Sequence, residues 1–530
     1  MNGVAEIPEI LLADSPPIAQ RPGGEEAFLS LLRQIPLSVW QAFLSRKRWA
    51  GFKNEPIRDA GYRRLFWLTS RENAWALLFW EATTLSGTTV TYFLPLSLEP
   101  QPRITDPLWE GSWAIARLRS ATRVFLLSDA LGQDRFCQAF LCAWLENTKS
   151  SSWDGQSCLL WEKGSSFPPS PKLLPVQRPS WEQSHTSLVF GNEVLLKCYR
   201  KIEPGKNPEE EFAHFFHNAS PCPHVASWLG SVTCRLEKGG EQGVAIAFEY
   251  LPEGKDGWSY TLELLREWVK NPLPEKLDLC RSWAGELGRV LFSVHKALSE
   301  TTGSEAFDPE PLAPQEIKDW KQNLQKEWEE TVQLLRFAET KFTPEEKELL
   351  EQFFSIAPRF SQTLLQAIPQ DWQCRKCRFH GDLHLGQILV TPRGLRVLDW
   401  EGEPDRPIAE RRRKGCLVKD VAGLLRSFFY LASFLAYEEQ NKVGLSEKMA
   451  EIPGEVGEAF LARYWEKASL LPTLPRDTEL RNVLLGAFCW QKALYELRYE
   501  CNHRPSWIRI ALQSVLWYLK SPFVSFTNEQ

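Results

Sequence analysis

The sequence predicts an α+β fold in three consecutive parts. These are an α+β cap over residues 1–165, a small β-rich lobe over 166–253 and a large helical lobe over 254–530. Three observations carry that division. Strand-like runs rich in β-branched and aromatic residues, broken by turn residues, recur through Phe248. Long helical stripes dominate from Leu277 onward. Between the first two parts lies a stretch from Gly164 to Ser180 with five prolines and several serines, the composition of a boundary or an extended crossover.

Composition narrows the function before any motif does. A chain of 530 residues, 43% apolar and 24% charged, has the make-up of a globular protein of two or three domains. A net charge of −5 argues against nucleic acid or an anionic membrane as the main partner. Twelve irregularly spaced cysteines suggest reduced thiols in a cytoplasm, and the lone Cys374-x-x-Cys377 pair is weak evidence for a metal. The N-terminus lacks the basic and apolar regions of a signal peptide, and the longest apolar run, Phe428 to Tyr437, is about half a membrane span.

In the cap, Phe28, Leu31, Leu32, Ile35, Val39 and Phe43 recur near helical spacing, and strand-like runs from Gly61 to Leu96 read as an antiparallel sheet. Phe136 to Glu146 reads as an amphipathic helix, and no catalytic constellation lies in this part. The second part opens with strand candidates at Leu173–Gln177, Ser187–Phe190 and Val194–Tyr199, the last two joined by a Gly191-Asn192 turn. The loop before them has no glycine, so phosphate contacts there fall to hydroxyls such as Ser184 and Thr186 and to backbone N–H groups. Lys197 lies on the third strand, ahead of an acidic helix start. A strand lysine fixed by a helix glutamate is one way to hold nucleotide phosphates; Glu211 is the first choice of partner and Glu209 the second. Glu249, Tyr250 and Leu251 follow an apolar strand as a hinge whose backbone would read an adenine edge.

In the third part Leu277–Leu298 and Gln315–Thr340 carry helical apolar stripes, with His295 expected to be a structural hydrogen-bonding residue. Thr343-Pro344-Glu345-Glu346 is a capping box with proline at the first helical position. The chemistry concentrates between His380 and Pro404. Two short apolar strands flank a Thr391-Pro392-Arg393-Gly394 turn, Asp382 stands before the first and Asp399 closes the second. A phosphoryl transferase needs one carboxylate to orient the attacking hydroxyl, and a side-chain oxygen plus a second carboxylate to hold Mg²⁺. Asp382 suits the first role. Gln387, five residues on, and Asp399 suit the second, with the nucleotide expected between Lys197 and that pair. The basic run Arg406 to Lys414 reads equally as a solvated face or as a bias toward anionic nucleotide. Asp420 is expected to organise the catalytic loop's backbone. Near the end, Lys492, Tyr495, Glu496 and Tyr499 share one helical face, with charge and phenol together, which suits a sugar.

His380-Gly381-Asp382-Leu383-His384-Leu385-Gly386-Gln387 with Asp399-Trp400-Glu401-Gly402-Glu403-Pro404 resembles the bacterial maltokinases. The likeness extends in weaker form from about Arg48 to Trp507, including Asp256-Gly257-Trp258, Asp420–Ser427 and Asn502–Trp507. Arg48, Trp49 and Lys53 fit a cap element of that family, but the residues between them depart from it and no substrate role is assigned there. The resemblance implies a bilobal protein-kinase-like fold behind a cap, ATP and Mg²⁺ as cofactors, and maltose as acceptor. It adds His384 and Glu401 to the substrate-binding set. It also implies maltose 1-phosphate as product, feeding glycogen or α-glucan synthesis alongside trehalose synthase. Two alternatives stay open: another sugar or amino-sugar kinase such as a glucosamine kinase, and an inactive kinase-like partner of trehalose synthase.

Overall fold

A computed structural model describes residues 7–12, 24–51, 55–70, 73–100, 112–121, 123–146, 148–169, 174–179, 185–372, 374–404, 406–439 and 445–527. They form two compact units, Met1–Ala213 with Ala226–Pro252, and His214–Val225 with Glu253–Gln530.

The first unit begins with β1 (Glu9–Leu11), α1 (Glu25–Arg33), α2 (Leu37–Ser45), β2 (Ile57–Ser70), β3 (Asn73–Thr84), β4 (Thr89–Pro100), β5 (Ala114–Arg119), β6 (Val124–Asp129) and α3 (Asp134–Cys142). The strands order as β1-β5-β6-β4-β3-β2. The near-continuous apolar run of β3 has a simple cause: both faces of this sheet are covered. Trp75, Leu77 and Phe79 pack in one core with Phe136 and Phe140 of α3. Ala76, Leu78 and Trp80 point the other way, into a second core with Phe28, Leu32, Trp40 and Phe43 of α1 and α2.

A second sheet follows, from β7 (Lys149–Ser151), β8 (Ser157–Lys163), β9 (Val176–Gln177), β10 (Thr186–Phe190), β11 (Val194–Cys198), β13 (Trp228–Leu236) and β14 (Glu241–Glu249). Its order is β7-β8-β13-β14-β11-β10-β9, while the short β12 (Lys201–Ile202) pairs with β4 of the first sheet. The proline-rich stretch is therefore the crossover between β8 and the far edge at β9. Two strands that precede residue 165 belong to the second sheet. Gly191 and Asn192 have φ of 55° and 59°, left-handed conformations that turn the chain in the three-residue loop between Phe190 and Val194. Helix α4 (Pro208–His214) completes the unit.

One buried ion pair ties these layers together. Arg200, just after β11, donates to Asp129 at the end of β6 over 2.7 Å, and neither side chain has any solvent exposure. Its other nitrogens reach the Thr186 hydroxyl and the Phe93 carbonyl, and the guanidinium lies over the Trp49 ring.

The second unit is mainly helical. It holds β15 (Lys255–Asp256), α5 (Gly257–Lys270), α6 (Pro274–Leu298), β16 (Glu310–Pro311), α7 (Pro314–Ala338), α8 (Pro344–Ala367), β17 (Arg375–Lys376), β18 (Ile388–Thr391) and β19 (Gly394–Val397). It ends with α9 (Ile408–Arg411), α10 (Val418–Glu438), α11 (Leu445–Trp465), α12 (Thr478–His503) and α13 (Ile508–Leu519). The stripe Leu287, Val290, Leu291, Val294, Leu298 of α6 is buried, and the capping box at Thr343 and Glu346 forms at the start of α8. Helix α10 is apolar on nearly every side because α11, α12 and α13 surround it, which accounts for the apolar run at Phe428. Among the described residues no helix is long and apolar enough to cross a membrane.

The Arg200–Asp129 pair sets a stability test. Replacing Asp129 with alanine strands a buried guanidinium, so the first unit should lose about 3–5 kcal/mol in urea unfolding.

Candidate active site

The hairpin forms as expected: β18 and β19 pair with Thr391 opposite Gly394, and β15 adds a third strand. It leaves Asp382 on the loop before β18 and Asp399 just past β19. Asp399 adopts φ 63°, a left-handed backbone that aspartate tolerates better than most residues and that is often found at functional sites.

One face of α10 templates the loop. The Asp420 carboxylate accepts hydrogen bonds from the backbone N–H groups of His380 at 2.8 Å and Gly381 at 2.9 Å. Three residues on, a Cβ at Gly423 would sit 2.2 Å from the Leu383 carbonyl oxygen, so glycine lets the loop lie directly on the helix. At Ser427, one turn further, the hydroxyl accepts from the Leu385 N–H at 3.2 Å. Behind Asp420 stands buried His295, 3.4 Å away through Nε2, with its Nδ1 2.7 Å from the Tyr464 hydroxyl. Burial alone would raise the Asp420 carboxyl, but His295 and the loop's N–H groups hold it below the usual carboxylate range. Both Asp420 and His295 thus take the structural roles the sequence suggested. The His380 ring ties the loop to the second strand through Nε2 and the Leu398 carbonyl at 2.8 Å.

Gln387 donates its amide to Asp399 over 2.9 Å, and a Glu401 carboxylate oxygen lies within 4.8 Å of one from Asp399. Carboxylate and amide oxygens on a rigid hairpin are the donor set of a hard divalent cation, so these residues fit Mg²⁺. Glu401 was expected to bind substrate. It instead keeps company with Asp399, because the left-handed turn at Asp399 brings the two acids together.

Asp382 faces a different neighbourhood. Lys492 of α12 donates to its Oδ1 at 2.9 Å. Burial pushes the Asp382 carboxyl up, but the Lys492 ammonium outweighs it and holds the group below its ordinary value. The pocket around this pair is lined by Glu327, Glu403, Arg406, Lys419, Gln491, Tyr495 and Arg498, among others. Each of its other carboxylates is also met by a cation. Glu403 pairs with Arg406 and, at 3.1 Å, with Lys419; Glu327 pairs with Arg498 at 3.5 Å.

The proposed sugar face divides. Lys492 and Tyr495 line the pocket, the ammonium 4.8 Å from the ring centre. Glu496 does not line it; its carboxylate is taken by buried Arg426 of α10 at 2.7 Å. Tyr499 stacks on His503 at 4.6 Å and lies beside Arg504, off the pocket. A shared helical face spans more than one neighbour, and here α10 claims Glu496 while Tyr499 packs on the end of its own helix. His384 accepts the Gly386 N–H at 3.1 Å through Nδ1, and burial lowers its pKa, so the ring caps the short turn as a neutral group. Glu403 was missed as a pocket residue, although the second acid of Glu-Gly-Glu-Pro followed by a basic run was a usable signal. Within that basic run Arg406 pairs with Glu403, Lys414 pairs with Glu310, and Arg411 donates to the Glu401 carbonyl.

In the first unit, Lys197 pairs with Glu209 at 2.6 Å, both side chains buried, and Tyr199 donates to the other Glu209 oxygen at 2.8 Å. Glu211, the first choice from sequence, is corrected here. Glu209, Phe212 and Ala213 share the buried face of α4, and Glu211 falls off it. Thr186 is the first residue of β10 and its hydroxyl accepts from Arg200, so it belongs to the sheet and not to an open loop. Glu249 ends β14 with its carboxylate on Ser227, Tyr250 donates its N–H to the Glu193 carbonyl, and Leu251 is buried. Ser184 and Lys53 lie outside the described residues. The Cys374 thiol donates to the Thr473 carbonyl at 3.1 Å.

Residues 183–441 match the model of the phosphotransferase enzyme family. That segment is just under half of the chain, and the chain has the fold of the aminoglycoside-phosphotransferase-like kinases, which the match supports. Two similar curated proteins are glucosamine kinases. One, from Mycolicibacterium smegmatis, is 24% identical over 62% of this chain and 76% of its own length. Another, from Streptacidiphilus jiangxiensis, is 23% identical over 62% of this chain and 70% of its own. Among solved structures, a glucosamine kinase in complex with glucosamine, ADP and inorganic phosphate superposes with a TM-score of 0.61 at 16% identity. The match covers 90% of this chain and 98% of that one, and shows the shared fold.

The loop's contact with α10 gives a direct test. Gly423→Ala should push the Leu383 carbonyl, and Asp382 with it, off position. A displacement near 1 Å can cost about 10²-fold in rate. ATP-dependent turnover should fall by that order while circular dichroism stays native.

Proposed function

We propose that this protein is an ATP- and Mg²⁺-dependent sugar kinase whose acceptor is maltose, giving α-maltose 1-phosphate and ADP. The observation that carries a neutral sugar is the charge pairing of the acceptor pocket. Asp382, Glu403 and Glu327 already face Lys492, Lys419 with Arg406, and Arg498. An ammonium-bearing sugar would have to displace a lysine or arginine to gain a carboxylate. A polyol needs only to exchange hydroxyl hydrogen bonds with groups already in place, and Tyr495 offers a ring for a pyranose face.

In this reading Asp382 is the catalytic residue. Its second oxygen orients the acceptor hydroxyl toward the γ-phosphorus and receives the proton as the bond to phosphorus forms and the bond to the bridging oxygen of ADP breaks. Lys197, braced by Glu209, takes the nucleotide phosphates; Glu249 to Leu251 supply the backbone for the adenine. Gln387 and Asp399, with Glu401 nearby, would hold Mg²⁺, which when bound neutralises phosphate charge. Most of the rate would come from positioning and charge neutralisation. By the resemblance to maltokinases the product would enter glycogen or α-glucan synthesis in the cytoplasm, with trehalose synthase as the companion enzyme supplying maltose.

Glucosamine is the second reading, favoured by the relatives that carry that activity in their names. An acceptor panel with ATP separates the two. Maltose should be phosphorylated on its anomeric carbon, so a reducing-end assay loses signal as ATP is consumed. Turnover of glucosamine with none of maltose would overturn the reading.

Two substitutions test the roles. Asp382→Asn should lower turnover by about 10²–10⁴-fold and leave ATP affinity nearly unchanged. Asp399→Ala should abolish the Mg²⁺ dependence of ATP binding in calorimetric titration; an unchanged dependence would move the metal elsewhere.

A further inference from the structure

Lys492 was read from sequence as a sugar contact, but its surroundings describe a different task. It lies mid-way along α12, between Cys489 and Trp490 on one side and Ala493 and Leu494 on the other, all without solvent exposure. A lysine on so rigid a stretch of helix has its stem fixed at the root. Its Nζ lies 4.8 Å from the Tyr495 ring centre and 2.9 Å from Asp382 Oδ1, with about a fifth of each side chain of the ion pair exposed. The loop backbone is held from α10, yet nothing in that template reaches the Asp382 carboxylate. Lys492 does.

We infer that Lys492 is a positioning residue that locks the Asp382 carboxylate into one orientation, holding Oδ1 so that Oδ2 alone faces the acceptor hydroxyl. This rests on the kinase reading above and assigns how its catalytic group is aimed. The other charged groups around Asp382 do not substitute for Lys492. His380 and His384 flank it on the loop, but each is engaged, one with the Leu398 carbonyl and the other with the Gly386 N–H. From the segment after β19, Glu403 faces Arg406 and Lys419, and from α7 Glu327 faces Arg498. The nearby charges on those elements are thus spent on one another. The direction of the Asp382 titration agrees: the adjacent ammonium overcomes the upward push of burial.

The test compares wild type, K492M and K492R, with D382N used to assign the Asp382 carboxyl resonance in protein labelled with ¹³C-aspartate. Asp382 should titrate below the ordinary carboxylate range in wild type and K492R, and distinctly higher in K492M. With sugar and ATP, K492M should lose about 10²-fold in kcat. The sugar KM should move little, the acid limb of the kcat–pH profile should shift to higher pH, and K492R should restore the limb. An Asp382 resonance that titrates identically in wild type and K492M overturns the inference. So does a K492M enzyme with a raised sugar KM and unchanged kcat, which returns Lys492 to acceptor binding. If K492M does not fold, wild type decides alone: titration of Asp382 in the ordinary range overturns the proposal, and titration below it supports it. If wild type phosphorylates no sugar, the function proposed above fails while the titration still decides the role of Lys492.

Discussion

Two successive backbone N–H groups, those of His380 and Gly381, converge on the buried carboxylate of Asp420, and the geometry of the site follows from that contact. A carboxylate removed from water is costly unless its lone pairs are met, and hydrogen bonds to a charged group are worth about 1.5–3 kcal/mol each. Here the loop supplies two donors and His295 a third, with Tyr464 behind it. The stabilisation is mutual. Without the loop Asp420 would be an unpaired buried charge, and without Asp420 the turn at Gly381, φ 88°, would have no anchor. Three helices, α6, α10 and α11, meet at this network, so the fold of the helical unit and the shape of the loop are one constraint.

From that anchor the remaining groups are placed by rigid elements. Gly423 and Ser427 continue the same face of α10 under Leu383 and Leu385. The hairpin carries Gln387 to Asp399, and α12 carries Lys492 to Asp382. Sites built on helices and paired strands hold their geometry better than sites on loops alone. The one irregular segment, the loop itself, is fixed at its backbone from one helix and at its key side chain from another.

Charge pairing is the second theme. Lys197 with Glu209 and Arg200 with Asp129 are buried pairs in the first unit. In the second unit Arg426 with Glu496 is buried on the arginine side. Such pairs add little net stability over an apolar core but strongly penalise the loss of one member. In the pocket around Asp382 and Lys492 each lining carboxylate is likewise met by a cation, the pairing on which the proposal of a neutral sugar rests.

The sequence by itself determined the features that depend on near neighbours along the chain. The strand-like runs around the Pro392 turn, the capping box at Thr343 and the stripe from Leu287 to Leu298 are local chemistry, and all formed. Gln387 meets Asp399 for the same reason, since a two-stranded hairpin brings its own ends together. Tertiary structure decided the choices between equivalent local options. Glu209 and Glu211 are both early in one acidic helix turn, and only the direction of the sheet selects Glu209. Lys492 and Glu496 share a face, yet one meets the loop 110 residues upstream and the other meets α10, 70 residues upstream. Glu401 and Glu403 are separated by a single glycine and serve different sites. Periodicity tells which side of an element a residue is on; what waits on that side is set by packing between distant segments.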